Sequence, residues 1–226
     1  MSKGEIPDKT EEIIRKNYPA IGIVAVTNNL TNEKRLVTGI NIDPNGVIVT
    51  FGSILGTRDQ DLSVQVYLND RVYNVEDFCR YYSQNLASIQ LRNADGLPKA
   101  SLSNSELDRR GEEIILVGCE STNDGGSFIY WSSDGRAVPN PKVDYLEFGL
   151  FENATDYYGF GLKDSLDSHH LATLNLRGAG LFNLNGELAG IYIGRGYKLV
   201  DNPVNPRLMQ HIAIKSTAIQ KHLFLR

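Results

Sequence analysis

The apolar residues fall mainly into short β-branched runs divided by Asn, Asp and Gly, the pattern of strands joined by tight turns. In the first half the runs cover 21–26, 36–42, 47–50, 64–68, 71–75 and 86–91, a succession suited to a closed antiparallel barrel. A polar stretch, 101–110, precedes a second series at 113–117, 127–131, 145–151, 171–174, 180–184, 188–193 and 210–214. Helical signals are confined to the ends. Residues 8–17 predict a short helix with Asp8 as N-cap and Glu11 at capping-box spacing, and a second helix is expected over 215–224. The expected fold is all-β: a double six-stranded antiparallel barrel with short terminal helices. We expect one domain over 1–226, with barrel one at 19–100, a crossover at 101–112, and barrel two at 113–214 carrying an insertion at 121–168.

At 226 residues the chain has the length of a single two-barrel domain. Its net charge of −4 and pI near 5.6 argue against a nucleic-acid groove, as does the lack of any dense Lys/Arg run. No stretch approaches the roughly 20 apolar residues of a membrane span. The insertion holds the most aromatic stretch, Trp131, Tyr145, Phe148, Phe151, Tyr157, Tyr158 and Phe160. Such rings suit a partner surface, but packing inside barrel two is the favoured reading, because aromatic residues dominate β cores.

Four segments then carry a family likeness. The first runs from Thr38 through Asn45-Gly46 to Thr50-Phe51-Gly52-Ser53; the second joins 64–68 to Asn85-Leu86-Ala87. The third is Arg177-Gly178-Ala179-Gly180-Leu181 with its Asn185-Gly186 hairpin, and the fourth is His211-Ile212-Ala213-Ile214-Lys215-Ser216. In this order they resemble the trypsin-like serine proteases, Deg/HtrA branch. The likeness covers the protease domain alone, without the peptide-binding PDZ module that many of that branch append, so ligand recognition is expected from the barrels themselves.

That resemblance implies that Ser53, Asn85 and Arg177 stand where histidine, aspartate and the serine nucleophile belong, and that Gly178 and Ala179 keep the oxyanion-loop backbone. All three triad positions are substituted. A serine hydroxyl is no base at neutral pH, an amide carries no charge to steady an imidazolium, and a guanidinium has five donors and no lone pair for attack. No histidine precedes residue 169 to replace the missing base. The expectation is a pseudoprotease: no catalytic residues, a vestigial triad, and Arg177 pointing into the old site and partly blocking it. Its role would be to bind or regulate a protein or peptide. The alternatives are a structural subunit assembling as a homo- or hetero-oligomer with active relatives, such as a trimer built through 8–18, and a serine endopeptidase with a non-standard site.

No cofactor is expected, and no metal. His169 and His170 are adjacent, so on a strand they point to opposite faces and seldom share one ion. His211 and His222 are expected to be ordinary surface or packing residues. Cys79 and Cys119 are too few for a secreted disulfide framework and are expected as thiols, with a bridge between them as the alternative. The start lacks an apolar leader and an Arg-rich transit segment, so an intracellular location, cytoplasmic or nuclear, is expected if the chain is complete. An organelle remains the alternative if a transit peptide was removed. The sequons at Asn29 and Asn153 would matter only in the secretory pathway.

Overall fold

The computed structural model describes residues 9–56, 61–104, 112–121, 128–139, 145–146, 149–150, 156–162, 177–199 and 207–224. Helix α1 (Lys9–Asn17) places Glu11 and Glu12 in its first turn and Arg15 and Lys16 in its last, in the sense the helix dipole favours. It buries Ile13, and Asn17 donates through Nδ2 to the Gly186 carbonyl at 3.2 Å, tying the helix to a distant hairpin. Asp8, the expected N-cap, lies outside the described residues.

Barrel one contains β1 (Ile21–Asn28), β2 (Lys34–Asp43), β3 (Val47–Phe51), β4 (Leu62–Leu68), β5 (Arg71–Tyr81) and β6 (Leu86–Leu91). They close in the order β1-β2-β3-β6-β5-β4, every neighbour antiparallel. Barrel two contains β7 (Glu113–Ser121), β8 (Phe128–Pro139), β11 (Tyr157–Leu162), β12 (Gly180–Phe182), β13 (Leu188–Leu199) and β14 (Arg207–Lys215). Pairing runs β13-β12-β7-β8-β11-β14, and the β13–β14 ladder returns the ring to its start. The short strands β9 (Tyr145–Leu146) and β10 (Gly149–Leu150) add outside that ring, on β13. Helix α2 (Ser216–Phe224) follows β14 directly.

The all-β double barrel is therefore the observed fold. Strands β8 to β11 all lie in the segment expected as an insertion: β8 is longer than foreseen, and β11, which the pattern did not reveal, sits between β8 and β14. Its Tyr157, Tyr158 and Phe160 are buried, which gives those rings the core role favoured above. Phe148, Phe151 and the expected strand at 171–174 lie outside the described residues.

Strand β7 shows how alternation divides the interior. Its Ile115, Val117 and Cys119 join a cluster continuous with the barrel-one core and with Ala218 and Ile219 of α2. Its Ile114 and Leu116 point the other way, toward Tyr158, Phe160, Leu181 and Tyr192. Between the barrels the polar contacts centre on Thr38. Its hydroxyl donates to the Cys119 carbonyl and accepts from the Cys119 amide, both at 3.1 Å, while its carbonyl accepts from Thr50 Oγ1 at 2.6 Å. The Cys119 thiol donates to the Gly22 carbonyl, S···O 3.0 Å, and Cys79 and Cys119 are both free, not bridged.

Candidate functional site

The 3₁₀ turn Gly52–Leu55 leaves the end of β3 and carries Ser53 to the edge of barrel one. It can do so only by close approach: the Gly52 amide donates to the Asn85 carbonyl at 2.7 Å, and a Cβ on Gly52 would meet the backbone of Asn85 and Leu86 at 2.7–2.8 Å. Asn85 itself closes the 3₁₀ turn Tyr82–Gln84 in the left-handed region, φ 52 and ψ 38, a conformation that asparagine tolerates better than most residues. These two turns bring Ser53 and Asn85 together although 32 residues separate them.

The Ser53 hydroxyl donates to Asn85 Oδ1 at 2.7 Å and accepts from Arg80 Nη2 at 3.2 Å. Arg80 also donates through Nη1 to the Gly56 carbonyl, and its guanidinium lies 4.4 Å from the Tyr82 ring centroid. The serine proton is thus given to a non-basic amide oxygen, and the oxygen's lone pair is turned to a permanent cation. Two buried donors, Asn85 Nδ2 and Arg80 Nε, have no hydrogen-bond partner among the described residues.

From barrel two, the turn before β12 brings Arg177 and Gly178 to the same seam. The Arg177 carbonyl accepts from the Thr38 amide at 3.2 Å, and the Gly178 amide donates to the Tyr192 carbonyl at 2.8 Å. Gly178 has φ +84, and a Cβ there would overlap the Thr38 carbonyl and stand 2.6 Å from Thr50 Oγ1, so only glycine fits. Ala179 is buried next to it, and its carbonyl accepts from the Tyr192 amide at 2.8 Å. The Arg177 guanidinium lies over the Phe51 ring, 5.2 Å from the centroid, two residues before Ser53. Arg80 and Arg177 therefore approach the Phe51–Ser53 segment from separate barrels.

Sequence reasoning singled out Ser53, Asn85, Arg177, Gly178 and Ala179 but not Arg80. The expected strand stopped at 75, whereas β5 continues to Tyr81, and a lone arginine in a polar strand carries no sign of its distant partners. The remaining candidates stay apart from this cluster. His211 on β14 stacks on Phe160 at 5.3 Å and faces Tyr192 Oη, 3.2 Å from Nδ1. Burial, with a smaller contribution from the nearby Arg195 charge, pushes its pKa down to about 4, so the ring is neutral at pH 7. His222 on α2 lies against Tyr81, ring centroids 5.7 Å apart. His169 and His170 lie outside the described residues, and no group of three or more His, Cys, Asp or Glu among the described residues converges as a metal site. No helix among them is long and apolar enough to cross a membrane.

Two closed antiparallel barrels packed on a shared apolar cluster with polar ties beside it, and short terminal helices, constitute the trypsin-like protease fold. Solved structures sharing it include the Rv3671c protease of M. tuberculosis in its active form, 14% identical, with a TM-score of 0.62 over 93% of this chain and 82% of that one. An inactive form of Rv3671c from M. tuberculosis H37Rv, carrying a serine-to-alanine mutation, matches at 14% identity with a TM-score of 0.61 over 99% of this chain and 95% of that one. At this identity the likeness is one of fold. No protein-family model matches the chain, and no curated protein matches it in sequence.

Proposed function

We propose that this chain is a catalytically inactive member of the trypsin-like fold, similar to the Deg/HtrA branch, that works as a protein-binding or regulatory module. One observation carries the reading: the hydroxyl at the expected base position is held between an amide oxygen and a guanidinium. Acyl transfer in this fold needs a nucleophile whose proton passes to an imidazole oriented by a carboxylate. Ser53, Asn85 and Arg177 supply none of these roles. His211 is neutral but occupied by Tyr192 and Phe160 inside barrel two. The similar M. tuberculosis protein is a protease, yet a shared scaffold does not bring shared chemistry. With Arg177 over Phe51 and Arg80 on Ser53, the former cleft suits recognition of a protein or peptide segment better than cleavage.

The test is to incubate the pure protein with a fluorophosphonate probe and casein, beside a variant carrying Ser53→His, Asn85→Asp and Arg177→Ser. We expect neither labelling nor cleavage by the natural chain. Labelling of the natural chain at a single serine would overturn the proposal. Labelling of the variant at position 177 would support the assignment of the three positions to one constellation.

A further inference from the structure

Strands β4 and β5 start as a tight hairpin through Asn69 and Asp70, whose φ values of 50° and 58° suit a type I′ turn. Their ladder runs from Leu68↔Arg71 to Gln65↔Asn74 and there stops. Beyond that point β4 continues only along β1, to Leu62↔Asn28, while β5 turns through a bulge between Val75 and Asp77 and follows β6 to Tyr81↔Leu86. The strands part, and a cavity of about 300 Å³ opens between residues 62–65 of β4 and 74–78 of β5. Counting alternation from the hairpin turns the N–H and C=O groups of Leu62 and Val64 toward the gap.

The opening has a definite chemical character. No residue of β5 is fully buried, and Phe78 at its rim is 42% exposed. Among the described residues, Glu76 and Asp77 line the gap and no lysine or arginine does. Asp77 Oδ1 accepts the Phe78 amide at 2.8 Å, a side-chain group satisfying a backbone donor at the parted edge. Parted edges present main-chain groups that an extended chain can pair with, and the two carboxylates select a positive one.

We propose that the parted β4–β5 seam is a docking slot for an extended, basic segment of a partner protein, which adds as a short strand and places its cationic side chains on Glu76 and Asp77. At about 3.3 Å per residue the free part of β4 offers roughly 10 Å, or about three residues of pairing. The slot lies on barrel one, its geometry involves neither Ser53 nor Arg177, and it stands whether or not the cleft is catalytic.

The experiment is fluorescence polarisation of the full chain with a labelled peptide alternating Lys with Val or Thr. Three comparisons accompany it: the same peptide with Glu for Lys, the Lys peptide N-methylated at alternate amides, and a Glu76→Lys, Asp77→Asn variant. We expect saturable binding of the Lys peptide that weakens with added salt. The acidic peptide and the variant should each lose about tenfold or more, and N-methylation should abolish binding. The variant's melting temperature should stay unchanged, because both side chains are exposed. Equal binding of both peptides, an unaffected N-methylated peptide, or an unaffected variant would each overturn the proposal. A dimer seen by sedimentation and broken by the variant would also overturn it, by placing a second copy of the chain in the slot.

Discussion

Gly178 is held by geometry that no other residue satisfies: a positive φ and a barrel-one carbonyl where a Cβ would lie. Replacing it with alanine adds backbone strain and forces the Thr38 and Arg177 backbones apart. We expect Gly178→Ala to lower stability by about 2–4 kcal/mol, read by urea denaturation. A loss under about 0.5 kcal/mol would show that the seam yields easily. His211 gives a second test. Its folded pKa, about 4, lies below the ordinary 6.5, so between those values the unfolded chain takes up a proton that the folded chain refuses. The His211 contribution is full above pH 6.5 and is lost as pH falls toward 4, at up to about 1.4 kcal/mol per pH unit. His211→Gln should flatten the slope in that window, and the His211 ring protons should not titrate by NMR above about pH 5. At this scale the pair Ser53 and Asn85, which share a hydrogen bond, was legible in the sequence. Arg80 was not, because its partners Ser53 and Gly56 lie more than 20 residues earlier in the chain.

Elements were legible in proportion to the clarity of their borders. Strands β1, β3 and β6 stand between Asn, Asp or Gly turns and were found nearly whole. Strand β11, Tyr-Tyr-Gly-Phe-Gly-Leu, has two glycines and no polar alternation, so only its pairing with β8 and β14 reveals it. Strand β5 was cut short because Glu76, Asp77 and Phe78 are exposed in succession and break the alternation before the half-buried Cys79, Arg80 and Tyr81; its partner β6 extends it. The β2–β7 contact yields a prediction at this scale. Thr38→Val keeps the side-chain volume but removes both hydrogen bonds to Cys119, which should cost about 1–3 kcal/mol. Thr38→Ser should recover most of that loss. Equal stability of the Val and Ser variants in denaturant titrations would show that the hydroxyl contributes nothing.

Across the whole molecule the question is whether two barrels behave as one body. Their apolar contacts form one cluster, from Ile23, Ile40 and Ile48 in barrel one through Ile115, Val117 and Phe182 to Ile214 and Ile219. Polar ties run with it: Thr38 to Arg177 and Cys119, the Tyr157 hydroxyl to the Ser83 carbonyl at 3.1 Å, and the Leu188 amide to the Ser101 carbonyl at 2.7 Å. Neither barrel can unfold without exposing that shared surface, and burial on this scale couples stability over long range. The chain's one tryptophan, Trp131, sits on β8 and reports barrel two, whereas far-UV circular dichroism reports both barrels. We therefore expect the two signals to trace a single transition in urea, with one midpoint. Thr38→Val should shift both signals together, although Thr38 itself belongs to barrel one. Separated midpoints would mean that the seam joins two independently stable barrels, and the Thr38 effect should then appear in only one of the two curves.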